Sequence, residues 1–210
     1  MRGLRRSIFP FLFSCLTATL VAVSSCGGTL RSGDLLFVVH PVGNAITSVT
    51  QGADGLPIDH VAIFDDGRVL EAVPGYGVRQ VEADSFFLWH RDGQGRSLLL
   101  RGRVRHGLDL RQTLLLARGY LGMPYDSLYS STDAAIYCSE LVQKSYVDRR
   151  GQRLFPEIPM EFRDSTGQIP QYFVDFYRRH GLPVPEGEPG TNPGQLSRHP
   201  LLRLRPVQSH

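Results

Sequence analysis

Lysine is almost absent: Lys144 is the only one, and arginine supplies every other basic residue. Cysteine is scarce, with three in 210 residues, and there is one tryptophan. No glycine-rich phosphate loop is present, and no internal repeat or long run of one charge. Asp65-Asp66-Gly67 is too short of ordered oxygen ligands for a calcium loop. His40, His90, His106, His180, His199 and His210 show no metal-type spacing with cysteines or carboxylates. The composition therefore asks for neither a metal nor another cofactor. The formal net charge is +3, but Arg2, Arg5 and Arg6 lie in an N-terminal segment with no acid. Without residues 1–25 the charge falls to about zero, which removes the compositional case for nucleic-acid binding.

What the chain has at its start is an export pattern. The three arginines precede an apolar run from Ile8 to Val23, which closes in Val23-Ser24-Ser25-Cys26. The run is shorter than the ~20 residues of a comfortable membrane span and carries Pro10 and Ser14. These are the charged, apolar and small-residue zones of a secretory signal. The ending resembles a bacterial lipobox, which implies that Cys26 is lipidated and that residues 1–26 are signal and anchor site. The mature protein is then expected at the periplasmic side of a bacterial envelope membrane. Residues 27–210 suffice for one compact domain.

Cysteine bookkeeping then isolates one thiol. Cys15 leaves with the signal, Cys26 is acylated, and Cys138 remains. A single thiol in an oxidising compartment is either inert core or a reactive group. Cys138 sits where the turn-rich Ser130-Ser131-Thr132-Asp133 stretch gives way to a helical pattern reaching about Asp148. Leu141, Val142, Ser145 and Tyr146 form its inward face. A helix start presents partly positive N–H groups, which favour a thiolate. A thiolate still needs a base beside it.

The rest of the chain reads as follows. Leu35 to Val39 is a continuous apolar run, the mark of a strand buried on both faces. A loop follows, with a short helix around Ala45 to Gln51. His60 to Phe64 and Arg68 to Ala72 form a hairpin around Asp66-Gly67. In a two-residue turn Asp65 faces Arg68, and Glu71 shares a face with His60; a slip of one residue separates them. Val78 to Val81 reads as a strand, Ser85 to His90 as an edge strand, and Ser97 to Val104 as a strand. Asp109 caps a helix to about Leu121, with Leu110, Leu114, Ala117 and Leu121 on one face and Gly122 at its end. Gln171 to His180 reads as a helix behind Pro170. Residues 182–206, rich in Pro and Gly, read as an irregular strap with a short final strand near Leu201 to Leu204.

These segments resemble a known family. Gly33-Asp34-Leu35-Leu36-Phe37, Asp59-His60-Val61-Ala62-Ile63 and Gly67-Arg68-Val69-Leu70-Glu71-Ala72 are similar to the histidine half of NlpC-type papain-like cysteine peptidases. Gly122-Met123-Pro124-Tyr125 and Tyr137-Cys138-Ser139-Glu140-Leu141-Val142 are similar to the nucleophile half. Histidine precedes cysteine here, as in the circularly permuted branch that includes lecithin:retinol acyltransferase-like proteins and the YiiX/YaeF-like group. Gly190-Thr191-Asn192-Pro193 and the Cys-Ser-Glu-Leu-Val form resemble the YiiX-like group.

The resemblance implies an α+β permuted papain-like fold, with a small, mostly antiparallel sheet packed against the cysteine helix. It implies Cys138 as nucleophile, His60 as base, Glu71 as the orienting acid and Tyr125 as an oxyanion helper. The implied activity is thiol-dependent hydrolysis of envelope amides, cell-wall peptide first; lipid amides, esters or acyl transfer come second. A lipid-anchored binding protein without chemistry is the rival class. Tyr137 and Glu140 depart from the family's acid and glycine at those positions, and are expected to reshape the substrate site. His40 is the rival base, Arg79 a rival partner for Glu71, and Asp126 has no assigned role.

Overall fold

A computed structural model describes residues 29–130 and 132–208. The basic head, the apolar run and Cys26 lie outside them. Among the described residues no helix is long and apolar enough to cross a membrane.

The chain opens with β1 (Leu35–Val39), then α1 (Ala45–Val49), whose first turn is closed by Asn44 Oδ1 accepting from the Thr47 N–H at 2.8 Å. Then come β2 (Ile58–Asp65), β3 (Arg68–Val73) and β4 (Gly77–Glu82). Asp66 and Gly67 both take positive φ, 47° and 79°, as a two-residue hairpin turn requires. Asp65 therefore faces Arg68. Next are α2 (Ala83–Trp89), β5 (Leu99–Val104), α3 (Leu110–Gly119) and α4 (Cys138–Ser145). The remainder holds β6 (Ile158–Pro159), α5 (Gln171–Arg179), β7 (Pro189–Gly190), α6 (Pro193–Ser197) and β8 (Leu202–Pro206).

Six strands form one antiparallel sheet in the order β4-β3-β2-β1-β5-β8, and β6 pairs with β7 separately. β1 is central. Its Leu35 and Phe37 join Ile63, Leu70, Leu114, Ala117, Leu141, Val142 and Tyr146 in the main core beneath α3 and α4. Its Leu36 and Val38 face the other way, with Ala62, Val69 and Leu99 under Phe86 of α2. Burial on both faces accounts for the unbroken apolar run. Each fully buried Leu or Phe contributes about 1.5–3 kcal/mol relative to exposure. A third cluster, Met160, Phe162, Phe173 and Tyr177, packs against Ile46 and Val49 of α1.

Four expectations need correction. Residues 85–90 are not an edge strand but most of α2, because the second sheet face needs a cover and Phe86 supplies it, fully buried. α3 stops at Gly119, with Tyr120 as C-cap, and Leu110 and Leu121 are 40% and 43% exposed rather than inward. α4 stops at Ser145, because Tyr146 turns extended and its carbonyl accepts from Leu154 N–H. The 182–206 segment is more ordered than a strap: α6 and β8 lie within it, and β8 extends the sheet.

Candidate active site

Cys138 is the first residue of α4, with Tyr137 extended before it as N-cap. Its own N–H is one of the helix-start donors that no helical carbonyl can reach. The thiol is free and the residue 5% exposed. Glu140, which the sequence left as a candidate substrate contact, is instead turned to the helix itself. Its Oε2 accepts from the Tyr137 N–H at 3.4 Å, and its Oε1 meets Lys144 Nζ at 2.7 Å. Lys144 also holds Asp133 at 2.6 Å. Burial pushes the Glu140 carboxyl above its ordinary range, with Lys144 pulling against it.

His60 stands near the start of β2, close enough to Cys138 for the thiol to act on its titration. Its Nε2 is 2.9 Å from Glu71 Oε2. Glu71 is buried on β3, and its second oxygen takes Arg79 Nε at 2.9 Å and Nη2 at 2.7 Å from β4. The hairpin register thus brings His60 and Glu71 together, and Arg79 joins them. Burial alone would pull His60 down; Cys138 and Glu71, with their negative charge, bring it up to about 10. Burial likewise opposes ionisation of Glu71, but His60 and Arg79 hold it below its ordinary value. His40 takes no part in this row. Its Nε2 lies 3.3 Å from Asp59 Oδ2, and its side chain is 47% exposed.

Tyr125 is positioned from two sides. It bridges to Ile136, and the preceding Met123 carbonyl accepts from the Val78 N–H at 2.8 Å. Gly77 makes that approach possible: with φ 71° and no side chain it passes where a Cβ would lie 2.2 Å from Met123 O. The Tyr125 and Tyr129 phenols are neighbours that act on each other's titration, and burial raises both. Tyr129 itself holds a positive φ of 51°, a strained setting for an aromatic residue. Asp126 sustains it: its carboxylate accepts from Leu128 N–H at 2.9 Å, Ser130 N–H at 2.6 Å and Ser130 Oγ at 3.0 Å. Neither role was readable in the sequence; the polar stretch after Asp126 was the only sign of a turn.

Cys138 opens onto a cavity of about 570 Å³, its open mouth included. Tyr125, Tyr129 and Tyr137 line it together with the apolar Ile46, Val49, Met160, Phe162 and Phe173. Tyr137 is fixed there by accepting from the Thr191 N–H at 3.0 Å, so the Gly190-to-Pro193 motif serves as pocket wall. The charged residues on the lining are Asp59 and Glu161, both acids. Ser139 Oγ is buried on the same lining without a hydrogen-bond partner. A thiol, an imidazole and a carboxylate in a row, beside helix-start N–H groups, can form and break a covalent acyl-thioester.

Comparison with known proteins gives the family and the fold. Residues 29–204 match the family described as permuted papain-like amidase enzyme, YaeF/YiiX, C92 family. The uncharacterized protein YiiX of Escherichia coli (strain K12) is 32% identical over 117 residues. That alignment spans 54% of this chain and 56% of the relative, so little more than half of either is matched. A crystal structure described as metalloprotein yiiX from Escherichia coli O157:H7 superposes with a TM-score of 0.65 at 22% identity. It covers 86% of this chain and 98% of that one. The likeness is one of fold. Among the described residues here, no three His, Cys, Asp or Glu side chains converge as a metal site would need, so no step is assigned to a metal. With a family match over nearly all the described residues and the permuted order of histidine and cysteine, the chain belongs to the permuted papain-like amidases of the YaeF/YiiX type.

Proposed function

We propose that the protein is a cell-envelope thiol amidase in which Cys138 is the nucleophile, His60 the base and Glu71 the acid that fixes the imidazole. The row of Cys138 on the lining of an open pocket, His60 beside it and Glu71 bonded to His60 carries this reading. Cys138 attacks the amide carbonyl. The tetrahedral oxyanion is received by the Cys138 N–H and the Tyr125 hydroxyl. The C–N bond breaks as His60 protonates the leaving amine, giving an acyl-thioester. Water, deprotonated by His60, then attacks the thioester carbonyl, and the acid leaves as the thiol is restored. Residues 1–26 deliver the chain to the periplasmic side and anchor it through lipid on Cys26. Cell-wall peptide is the first substrate in view of that location. Lipid amides or esters are the second, favoured by the apolar lining of Ile46, Val49, Met160, Phe162 and Phe173.

The deciding measurement is the rate of Cys138 carboxymethylation by iodoacetate against pH, in wild type and in His60→Ala. A working pair reacts fast into mildly acidic pH and loses rate as His60 gives up its charge near pH 10. The substitution abolishes both features. A profile like that of a free cysteine, the same in both proteins, would leave the fold as a binding scaffold. Turnover of purified cell-wall peptide against an N-acyl amide, with Cys138→Ala as blank, then separates the two substrate classes.

A further inference from the structure

The outer face of the sheet carries a concentration of arginine that the catalytic reading does not use. Along β5 and β8, Leu100, Leu202 and Leu204 point to the main core. The alternate positions, Arg101, Arg103, Arg203 and Arg205, share the opposite face. The strand register sets Arg101 across from Arg205 and Arg103 across from Arg203. Like charges directly opposite one another work against strand pairing. Asp34 answers Arg103, with two contacts of 2.6 Å. Among the described residues neither Arg203 nor Arg205 forms an ion pair, and both are exposed. The concentration is local, since the domain without its first 25 residues has a formal charge of about zero.

The N-terminal chain enters on this same face. Arg103 Nη2 donates to Thr29 O at 2.9 Å, and Leu30 packs with Leu36, Val38 and Phe86. Cys26 stands just ahead of Thr29 in the sequence. A chain of that length reaches at most about 10 Å, which is close to one Debye length at physiological salt. Resting on the lipid attachment proposed above, we propose that Arg203 and Arg205, with the half-buried Arg103 beside them, dock on a bilayer surface rich in anionic phospholipid, to which the N-terminal segment ties the domain. Attachment alone would leave the domain free to tumble on its tether. An arginine face beside the tether turns one side of the sheet to the membrane and fixes the orientation of the pocket.

The test uses the purified full chain reconstituted into vesicles, with hydrogen exchange read across residues 99–104 and 202–206. Vesicles are phosphatidylcholine alone or phosphatidylcholine with phosphatidylglycerol. Incorporation is measured separately in the neutral vesicles, so a failure of the N-terminal attachment is seen as such. Docking slows exchange at β8 about fivefold or more in the anionic vesicles only, the effect of one or two arginines near an anionic surface. High salt and the double variant Arg203→Gln, Arg205→Gln remove the protection. The double variant keeps its iodoacetate reactivity and its melting temperature, because it relieves repulsion outside the pocket. Equal exchange in both vesicles overturns the proposal, as does protection in both that ignores salt. Equal protection by soluble inositol hexakisphosphate would make the face an anion site rather than a bilayer dock, and also overturns it.

Discussion

Glu71 holds two partners with two oxygens, and the chemistry of the site turns on that division. Read from the sequence, His60 and Arg79 compete for it; in the structure Oε2 takes the imidazole and Oε1 the guanidinium. A carboxylate has capacity for both, so residue types alone do not force a choice. Glu71→Gln keeps the shape, loses the charge, and offers an N–H where His60 needs an acceptor. We expect kcat to fall by about 10²–10⁴-fold with KM little changed, the range of general-base and triad-acid losses. Steady-state kinetics on whichever amide proves to be the substrate checks it, and an unchanged kcat would remove Glu71 from the mechanism. Cys138, His60, Glu71 and Tyr125 were legible because each stands in a short motif. Tyr129 and Asp126 were not, because their places depend on a backbone angle and three short-range hydrogen bonds rather than on residue type.

At the scale of elements, the turn from Asp126 to Ser130 joins pocket to scaffold. It is short, polar, and keeps a tyrosine at positive φ against its preference. Such strain persists only where the surroundings hold it. Asp126→Ala removes the acceptor for two backbone N–H groups, a loss of about 1–3 kcal/mol felt locally. The expected outcome is faster hydrogen exchange at Leu128 and Tyr129 and a lower kcat/KM, with the β1 amides unaffected. Faster exchange at the β1 amides as well would mean that the turn is part of the global fold. Tyr129→Phe, which keeps the ring and removes the hydroxyl next to Tyr125, is expected to lower kcat while exchange at the turn stays as in wild type. The hairpin and the capped helices were readable because turn residues and caps act locally. α2 was not: Ser85 to His90 is apolar without a clear period, and only the uncovered sheet face decides that it coils.

At the scale of the whole molecule, the site writes itself into stability against pH. The folded His60 value of about 10 lies above its ordinary 6.5, so the native state holds that proton more tightly. Its contribution is complete below pH 6.5 and is lost as pH rises through about 10. Glu71 has the opposite sign. Its folded value is below 4.5, so its contribution is present above pH 4.5 and is lost as pH falls through the lowered value. Both are complete between 4.5 and 6.5. Urea unfolding across pH should show stability declining from 6.5 towards 10 in wild type, and declining less in Cys138→Ala, which removes one of the partners that raise His60. Parallel curves for the two proteins would refute the coupling. The α+β class and the mostly antiparallel sheet were legible from hairpin and helix patterns. The path of the last segment was not, because β8 is fixed by pairing with β5, far from it in sequence.

The permuted order of the chain also sets a sequence of events. His60, Glu71 and Arg79 lie on neighbouring strands of a meander, joined by tight turns, and can assemble from nearby chain alone. Cys138 comes much later and meets them only when α4 packs against β2 and β3. An unfolded chain therefore carries its thiol without its neighbouring imidazole until the fold closes. If Cys138 is the nucleophile proposed above, its reactivity is switched on by folding itself, which spares the thiol from oxidants and stray electrophiles while the chain is still open.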